Sequence, residues 1–200
     1  MNNENPYEFL GGAPEETVSS SIGIFVYVEV KDDKIFDESL IALGKARELA
    51  NMLGTGVAAV LLNSNQDKFA QIIFQAGGDR VFMPQDNRYT KFDSDPYSTQ
   101  MTALLKEHQP EIVLAGLSAA ATDFLPRLAQ RLQTGLISGG IGLEVDTMER
   151  VLLVTRPIYG GKMHEVQVCP SARPQIVLLM PSAFPQPILD TFRHGEIEKI

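Results

Sequence analysis

The stretch IGIFVYV, residues 22–28, decides the fold class, because it is a continuous run of apolar, β-branched and aromatic residues. Such a run is typical of a strand covered on both faces, as in the parallel sheets of α/β proteins. Comparable runs follow at residues 57–62, 81–83 and 112–115. The sequence therefore predicts a series of buried, parallel strands.

Amphipathic segments separate these runs and predict crossover helices. Residues 37–53 carry an apolar stripe and end before a glycine, and a second helix is expected to be capped by Ser64 or Asn65. For the third helix we expect Asp95 at the N-cap and Pro96 at the first position. In the fourth, Pro126 requires the helix to begin within about one turn before it. Alternating strands and helices predict a parallel sheet with helices on both faces.

After Gly135 the pattern changes. Apolar runs at 136–145, 151–155, 164–168 and 175–180 have no helices between them. They predict an antiparallel β-hairpin layer that extends the parallel sheet and closes one of its edges.

We divide the chain into three parts on this basis. Residues 1–20 are polar and predict a flexible arm. Residues 21–182 form the α/β domain. Residues 183–200 contain closely spaced prolines and predict a linker.

Composition excludes several classes of protein. A net charge of −8 and a pI near 4.9 argue against a nucleic-acid binder. The chain has one cysteine, Cys169, which we interpret as a buried strand residue in a reducing compartment. The acidic start lacks the features of a signal peptide, and no apolar run has the length of a membrane span. We expect a cytoplasmic protein that does not insert into membranes.

The loop at residues 116–123 is the best candidate for ligand binding. Gly116, Ser118, Thr122 and Asp123 lie where a buried strand meets a helix, which is where parallel sheets place ligands. The helix N-terminus would favour an anion. Alternatively, Thr122 and Asp123 only cap the helix. Both interpretations stay open.

Catalytic and metal-binding patterns are not found. His108, His164 and His194 are far apart and lack ligand spacing with cysteine or acidic residues. The SGG stretch at 138–140 lacks the residues that would make it a phosphate-binding loop. The sequence predicts no catalytic residues and no metal site.

The segment RPIYGGK, residues 156–162, interrupts the strand-rich region. Its prolyl ring excludes a central strand position, and its two glycines allow the chain to reverse. We expect a corner at the rim of the β layer. It is either a packed hairpin or an interface with a partner chain formed by Arg156, Tyr159, Gly160, Gly161 and Lys162.

The order of several motifs resembles the N-terminal domain of the electron transfer flavoprotein alpha subunit. RPIYGG at 156–161 followed by RPQIV at 173–177 is the most specific pair. Supporting stretches are FVYVE at 25–29, EIVLAG at 111–116, LPRLA at 125–129 and GLIS at 135–138. The resemblance covers about residues 22–184.

This resemblance implies a fold like that of the adenine nucleotide alpha hydrolases, and a scaffold that pairs with a beta subunit. Such complexes move electrons from dehydrogenases to an acceptor through FAD. The family holds FAD mainly on a separate C-terminal domain. We expect residues 183–200 to be the linker towards that domain and expect the domain itself to be absent here, so we assign no FAD contact to these residues. Four positions depart from the family pattern: Ala121-Thr122 replace Gly-Arg, Lys162 replaces Asn, and Met180 replaces Arg.

Two further hypotheses remain. The chain could be an independent domain that binds or hydrolyses adenine nucleotides through the 116–123 loop. It could also be a structural domain that associates with itself.

Overall fold

The structure, a computed structural model, describes residues 22–62, 67–86, 89 and 91–200. The predicted arm at 1–20 and the predicted caps Ser64 and Asn65 lie outside the described residues. Within the described ranges, twelve strands and four helices occur in the order β1 (Ile22–Tyr27), β2 (Val30–Lys31), β3 (Lys34–Ile35), α1 (Asp37–Leu53), β4 (Gly56–Val60), α2 (Ala70–Gln75), β5 (Arg80–Met83), α3 (Ser94–His108), β6 (Ile112–Gly116), α4 (Ala119–Leu132), β7 (Leu136–Gly140), β8 (Gly142–Asp146), β9 (Val151–Ile158), β10 (Met163–Gln167), β11 (Gln175–Leu179) and β12 (Glu196–Lys199).

Seven strands form the central sheet in the order β12-β5-β4-β1-β6-β11-β7. Every neighbouring pair is parallel, which confirms the predicted α/β fold class. From β1 the chain builds outward through β4 and β5, and then returns to place β6 on the other side of β1. The carboxyl ends of β1 and β6 therefore form the topological switch point, where such sheets leave a crevice.

Two apolar cores cover the two faces of this sheet. On one face, α1 and α2 pack over Ile24, Val26 and their neighbours. On the other face, α3 and α4 pack over Phe25 and Tyr27. Because successive strand residues point to opposite faces, a continuous apolar run is needed to supply both cores. This explains why residues 22–28 contain no charged side chain.

The predicted antiparallel layer is present as a separate sheet, in the order β10-β9-β8. It does not close an edge of the parallel sheet: the edges are β7 and β12. Its inner residues Leu143, Leu152 and Val154 join the core under α1. The two sheets approach each other closely at Gly140, which has no room for a side chain: a β-carbon there would lie 2.9 Å from Val154 Cγ1. The predicted 136–145 strand is therefore two strands, and β11 belongs to the parallel sheet.

The 183–200 segment, predicted as a linker, is part of the domain. Its strand β12 pairs in parallel with β5, from Arg80 opposite Glu196 to Met83 opposite Lys199. Phe184 packs against the apolar core. The prolines remove any helical periodicity, and a four-residue strand is too short to be recognised from its pattern. Only the exposed edge of β5 makes it a strand.

Helix boundaries also differ from the prediction. The side chain of Asp93, not Asp95, caps α3 by accepting a hydrogen bond from Asp95 N. Helix α4 begins at Ala119, so Pro126 is its eighth residue rather than a first-turn residue. Thr122 and Pro126 lie on the exposed face of α4. Water can therefore hydrate the Thr122 carbonyl that the missing Pro126 N–H leaves free.

Cys169 does not lie in a strand. Strand β10 ends at Gln167, and Cys169 follows it in an irregular segment with intermediate exposure. Its thiol faces Gly135, where a β-carbon would be 3.1 Å from Cys169 Sγ. The alternation that suggested a longer strand is therefore interrupted two residues earlier than expected.

Candidate functional site

A cleft of about 620 Å³ opens at the switch point between β1 and β6. One wall is aromatic and is formed by Tyr27, Phe92 and Tyr97. The rest of the cleft is lined by Glu29 and the residues that follow it up to Asp33, by Lys91, and by the N-terminal part of α4. The size is within the ~300–1,000 Å³ that small-molecule sites occupy, and the position is where parallel sheets place ligands.

Ser118 connects the two strand ends. Its Oγ accepts a hydrogen bond from Ala121 N at 3.1 Å and so caps α4. The same hydroxyl donates to the Glu29 carboxylate. The Glu29 carboxylate therefore lies beside the N-terminal end of α4, where its charge opposes that of a ligand phosphate.

The other residues predicted at this loop have structural contacts. Gly116 lies against α1, and a β-carbon there would collide with Glu38. Thr122 Oγ1 donates to Ser118 O at 2.6 Å, so Thr122 is not the cap. Asp123 lies at the mouth of the cleft, 3.5 Å from Arg127 Nη2. The structure therefore brings Ser118 and Asp123 near the cleft. Gly116 instead allows β6 to pack against α1, and the Thr122 hydroxyl bonds to the backbone of its own helix.

Two tyrosines beside Glu29 are held in their neutral form. Burial raises the pKa of Tyr27 well above its usual value, and the charge of Glu29 raises it further. Burial, followed by the charge of Glu29, raises the pKa of Tyr97 to about 12. At neutral pH both hydroxyls therefore carry a proton.

The arrangement can bind a ligand through its aromatic wall and the Glu29 carboxylate. Over the ranges that the structure describes, no group of three or more histidine, cysteine or acidic side chains could hold a metal ion. No helix in the described part of the chain is long and apolar enough to cross a membrane.

The 156–162 segment forms the turn between β9 and β10, as expected for a hairpin corner. Gly160 and Gly161 have φ values of +66° and +85°, which glycine adopts without strain. Pro157 lies beyond the end of β8, because Gly142 pairs with Thr155. It therefore has a strand neighbour only on the β10 side, the kind of edge position in which proline is tolerated.

The candidate interface residues differ in whether a partner chain can reach their side chains. Tyr159 is 76% exposed, and Lys162 is exposed beside it. Arg156 points toward its own sheet: its Nε lies 3.6 Å from Glu165 Oε1, and its Nη1 lies 3.4 Å from Gln167 Oε1. Tyr159 and Lys162 can therefore contact a partner directly, whereas Arg156 holds the hairpin together.

The outer face of the antiparallel sheet carries an apolar strip along β9. It is bordered by Glu144 and Asp146 of β8 and by His164 of β10. Along β9, Leu152 and Val154 face the core, so Val151, Leu153, Thr155 and Pro157 face outward. Val166 of β10 pairs with Thr155 on this face and is 59% exposed. Antiparallel sheets with one face in water normally carry polar residues there. We call these five outward residues the β9 face.

Sequence reasoning missed the residues that build the cleft. Glu29 follows a buried strand directly, which is the only signal that could have marked it. Tyr27 and Tyr97 fit apolar stripes and are indistinguishable from ordinary core residues in the sequence. Their proximity results from packing α3 against the carboxyl end of β1.

Known proteins are similar to this chain over most of its length. The family model of the electron transfer flavoprotein domain matches residues 24–200. The chain is 34% identical over 180 residues to the electron transfer flavoprotein subunit alpha of Clostridium acetobutylicum, covering 89% of this chain and 54% of that protein. It is 33% identical over 179 residues to the subunit alpha of Bacillus subtilis, covering 88% and 53%.

A further relative is the LctC subunit of an NAD⁺- and ferredoxin-linked lactate dehydrogenase of Acetobacterium woodii. It is 28% identical over 176 residues, covering 88% of this chain and 42% of that protein. The chain thus spans about half the length of the curated relatives it matches. Since the family model covers nearly all of the described residues, the chain belongs to the electron transfer flavoprotein family.

Proposed function

We propose that this chain is the N-terminal part of an alpha-type electron transfer flavoprotein subunit and acts as a docking scaffold for a beta-type subunit. The observation that carries the proposal is the β9 face, a largely apolar strip with a polar border on a member of this family. Apolar and aromatic residues at the centre of a patch are typical of protein interfaces. Electrons would pass from a dehydrogenase to an acceptor through the assembled complex.

FAD, in this proposal, is held mainly by residues outside this chain. The cleft at the switch point supports this view, because the Glu29 carboxylate lies beside the N-terminal end of α4, bonded to Ser118. A second negative charge at the same helix end would be repelled. The same argument disfavours the alternative function, an adenine-nucleotide-binding or hydrolysing domain. The cytoplasmic location stays a prediction.

Calorimetric titration with a beta subunit of the family tests the docking role. Replacing Leu153 with Glu introduces a charge at the centre of the β9 face, and we expect affinity to fall by about tenfold or more. Tyr159→Ala should weaken binding less, because Tyr159 lies at the end of the β9 face. Met52→Ser is the control: Met52 is 58% exposed on α1 and is not part of the β9 face.

The measurement separates docking from folding. Each variant is also compared with the unchanged chain by thermal unfolding, so that a folding defect is recognised. If Leu153→Glu keeps its fold and binds the beta subunit as tightly as the unchanged chain, the β9 face is not the interface. Light scattering of the chain alone tests the third hypothesis, self-association, which would appear as a mass above one chain.

A further inference from the structure

The cleft between β1 and β6 has a feature that docking through the β9 face does not explain. Tyr27 lines this cleft and is only 2% exposed. No hydrogen bond of the described part of the chain involves its hydroxyl. The hydroxyl is not one of the buried, unpartnered side-chain atoms of the described residues, so it opens into the cleft and is available to a ligand there.

The charged groups around the cleft determine whether it favours a cationic or an anionic ligand. Four carboxylates line it, against two lysine ammonium groups. Two of the carboxylates already face cations, since Asp33 pairs with Lys68 and Asp123 lies near Arg127. Glu29 receives only the neutral Ser118 hydroxyl among the side chains of the described residues. Glu29 therefore retains lone pairs for a cationic group and repels an anion.

The aromatic wall suits an organic cation better than a metal ion. The rings of Phe92 and Tyr97 lie 5.1 Å apart in a T-shaped arrangement, and Tyr97 and Tyr27 are 6.5 Å apart. Phe92 is 42% exposed, so a ligand can reach its ring. Ring faces attract guanidinium and ammonium groups by cation–π interaction. A metal ion would need several oxygen ligands, and among the described residues no group of three or more histidine, cysteine or acidic side chains could hold one.

We propose that this cleft binds a guanidinium or primary ammonium group. Glu29 is its charge partner, the Tyr27 oxygen accepts a hydrogen bond from it, and Phe92 packs against it. The group belongs either to a free small molecule or to an arginine or lysine side chain of another protein. The site lies on the opposite face of the central sheet from the core that holds the antiparallel layer, so it is separate from the β9 face.

Binding can be tested on the whole chain with agmatine, a small guanidinium and ammonium compound. Calorimetry should give a Kd below about 1 mM, a modest affinity for a ligand of this size. With ¹³C-labelled tyrosine, the NMR signals of Tyr27 and Tyr97 should shift on addition of agmatine. The signal of Tyr159, on the distant hairpin, should stay constant.

Two variants and a matched control identify the residues. Glu29→Gln keeps the shape and an acceptor for Ser118, and should weaken binding by about tenfold or more because the charge partner is lost. Tyr27→Phe keeps the buried ring and should weaken binding by about threefold. Glu48→Gln removes a carboxylate that pairs with Lys45 on α1, outside the cleft, and should leave the affinity unchanged.

Three results would overturn the proposal: no NMR shift of Tyr27 or Tyr97 at about 10 mM agmatine, equal affinity of folded Glu29→Gln for agmatine, or NMR shifts caused by AMP and not by agmatine.

A short peptide with one arginine, compared with its glutamine counterpart, shows whether the bound group belongs to another protein or to a free small molecule. Tighter binding of the arginine peptide than of agmatine indicates a partner's side chain, and the reverse indicates a free small molecule. Both outcomes support the site, and neither depends on a beta subunit.

Discussion

At the scale of single residues, this protein uses its charged side chains to join segments that are distant in sequence. Asp79, whose side chain is 10% exposed, accepts hydrogen bonds from Arg47 and from Arg193 and also from Val57 N at 2.8 Å. It thereby connects α1, β4 and the C-terminal segment. Glu111 binds Arg150 through two bonds of 2.6 and 2.7 Å and raises the pKa of that guanidinium.

Replacing Asp79 with Asn should destabilise the protein by about 2 kcal/mol, because two partly buried guanidinium groups lose their shared counter-charge. Urea unfolding followed by circular dichroism measures this change. Glu48→Gln, which removes an exposed pair with Lys45, is the matched control and should change stability by less than about 0.5 kcal/mol. Equal effects of the two substitutions would show that Asp79 does not anchor the C-terminal segment.

The raised pKa of Tyr97 predicts that the free energy of unfolding changes with pH in the alkaline range. Its pKa in the folded protein is about 12, above the ordinary value of 10.0. The unfolded chain therefore releases this proton first as pH rises, and the contribution of Tyr97 is complete below pH 10 and declines toward pH 12.

The free energy of unfolding should consequently fall less steeply between pH 10 and 12 in Tyr97→Phe than in the unchanged protein. Denaturant titrations at several pH values measure this slope. Tyr159→Phe is the control, because Tyr159 is 76% exposed. A slope unaffected by Tyr97→Phe would contradict the raised pKa.

At the scale of secondary-structure elements, the edges of the central sheet depend on late segments of the chain. Strand β12 covers β5, whose backbone groups would otherwise be open to pairing with another molecule. The chain reaches this edge by passing closely over α2 and β5. Gly195 is at the tightest point of this path, since a β-carbon there would lie 2.6 Å from the Phe74 ring.

Gly195→Ala should therefore displace β12 and destabilise the protein by about 1–3 kcal/mol, the usual effect of overpacking. Hydrogen exchange at β5 should increase in the same variant, because its outer ladder is lost. Gly142→Ala provides the comparison, as a β-carbon there would meet Thr155 only at 3.3 Å. Unchanged exchange at β5 would mean that the C-terminal segment tolerates the added methyl group without moving.

At the scale of the whole molecule, the protein has two separate surfaces: the apolar β9 face and the acidic, aromatic cleft. The cleft lies where nucleotides bind in related architectures, yet its helix end already carries Glu29. Calorimetric titration of the whole chain with AMP, ATP and FAD should therefore give no measurable binding. Glu29→Gln, which removes the charge but keeps the shape, tests whether the Glu29 charge is what prevents nucleotide binding. Tight ATP binding by the unchanged chain would favour the nucleotide-domain alternative instead.

The sequence by itself determined the α/β class and the first four strands of the parallel sheet, because buried strands and amphipathic helices leave local periodic patterns. It also located the hairpin corner at 156–162, since the conformational limits of proline and glycine are local as well. Tertiary structure alone decided that residues 196–199 form an edge strand, that the antiparallel strands pack on a face, and that Ser118 rather than Thr122 caps α4. It also brought Glu29, Tyr27 and Tyr97 together. These features depend on contacts between residues far apart in the chain, and such contacts leave no periodic signal in the sequence.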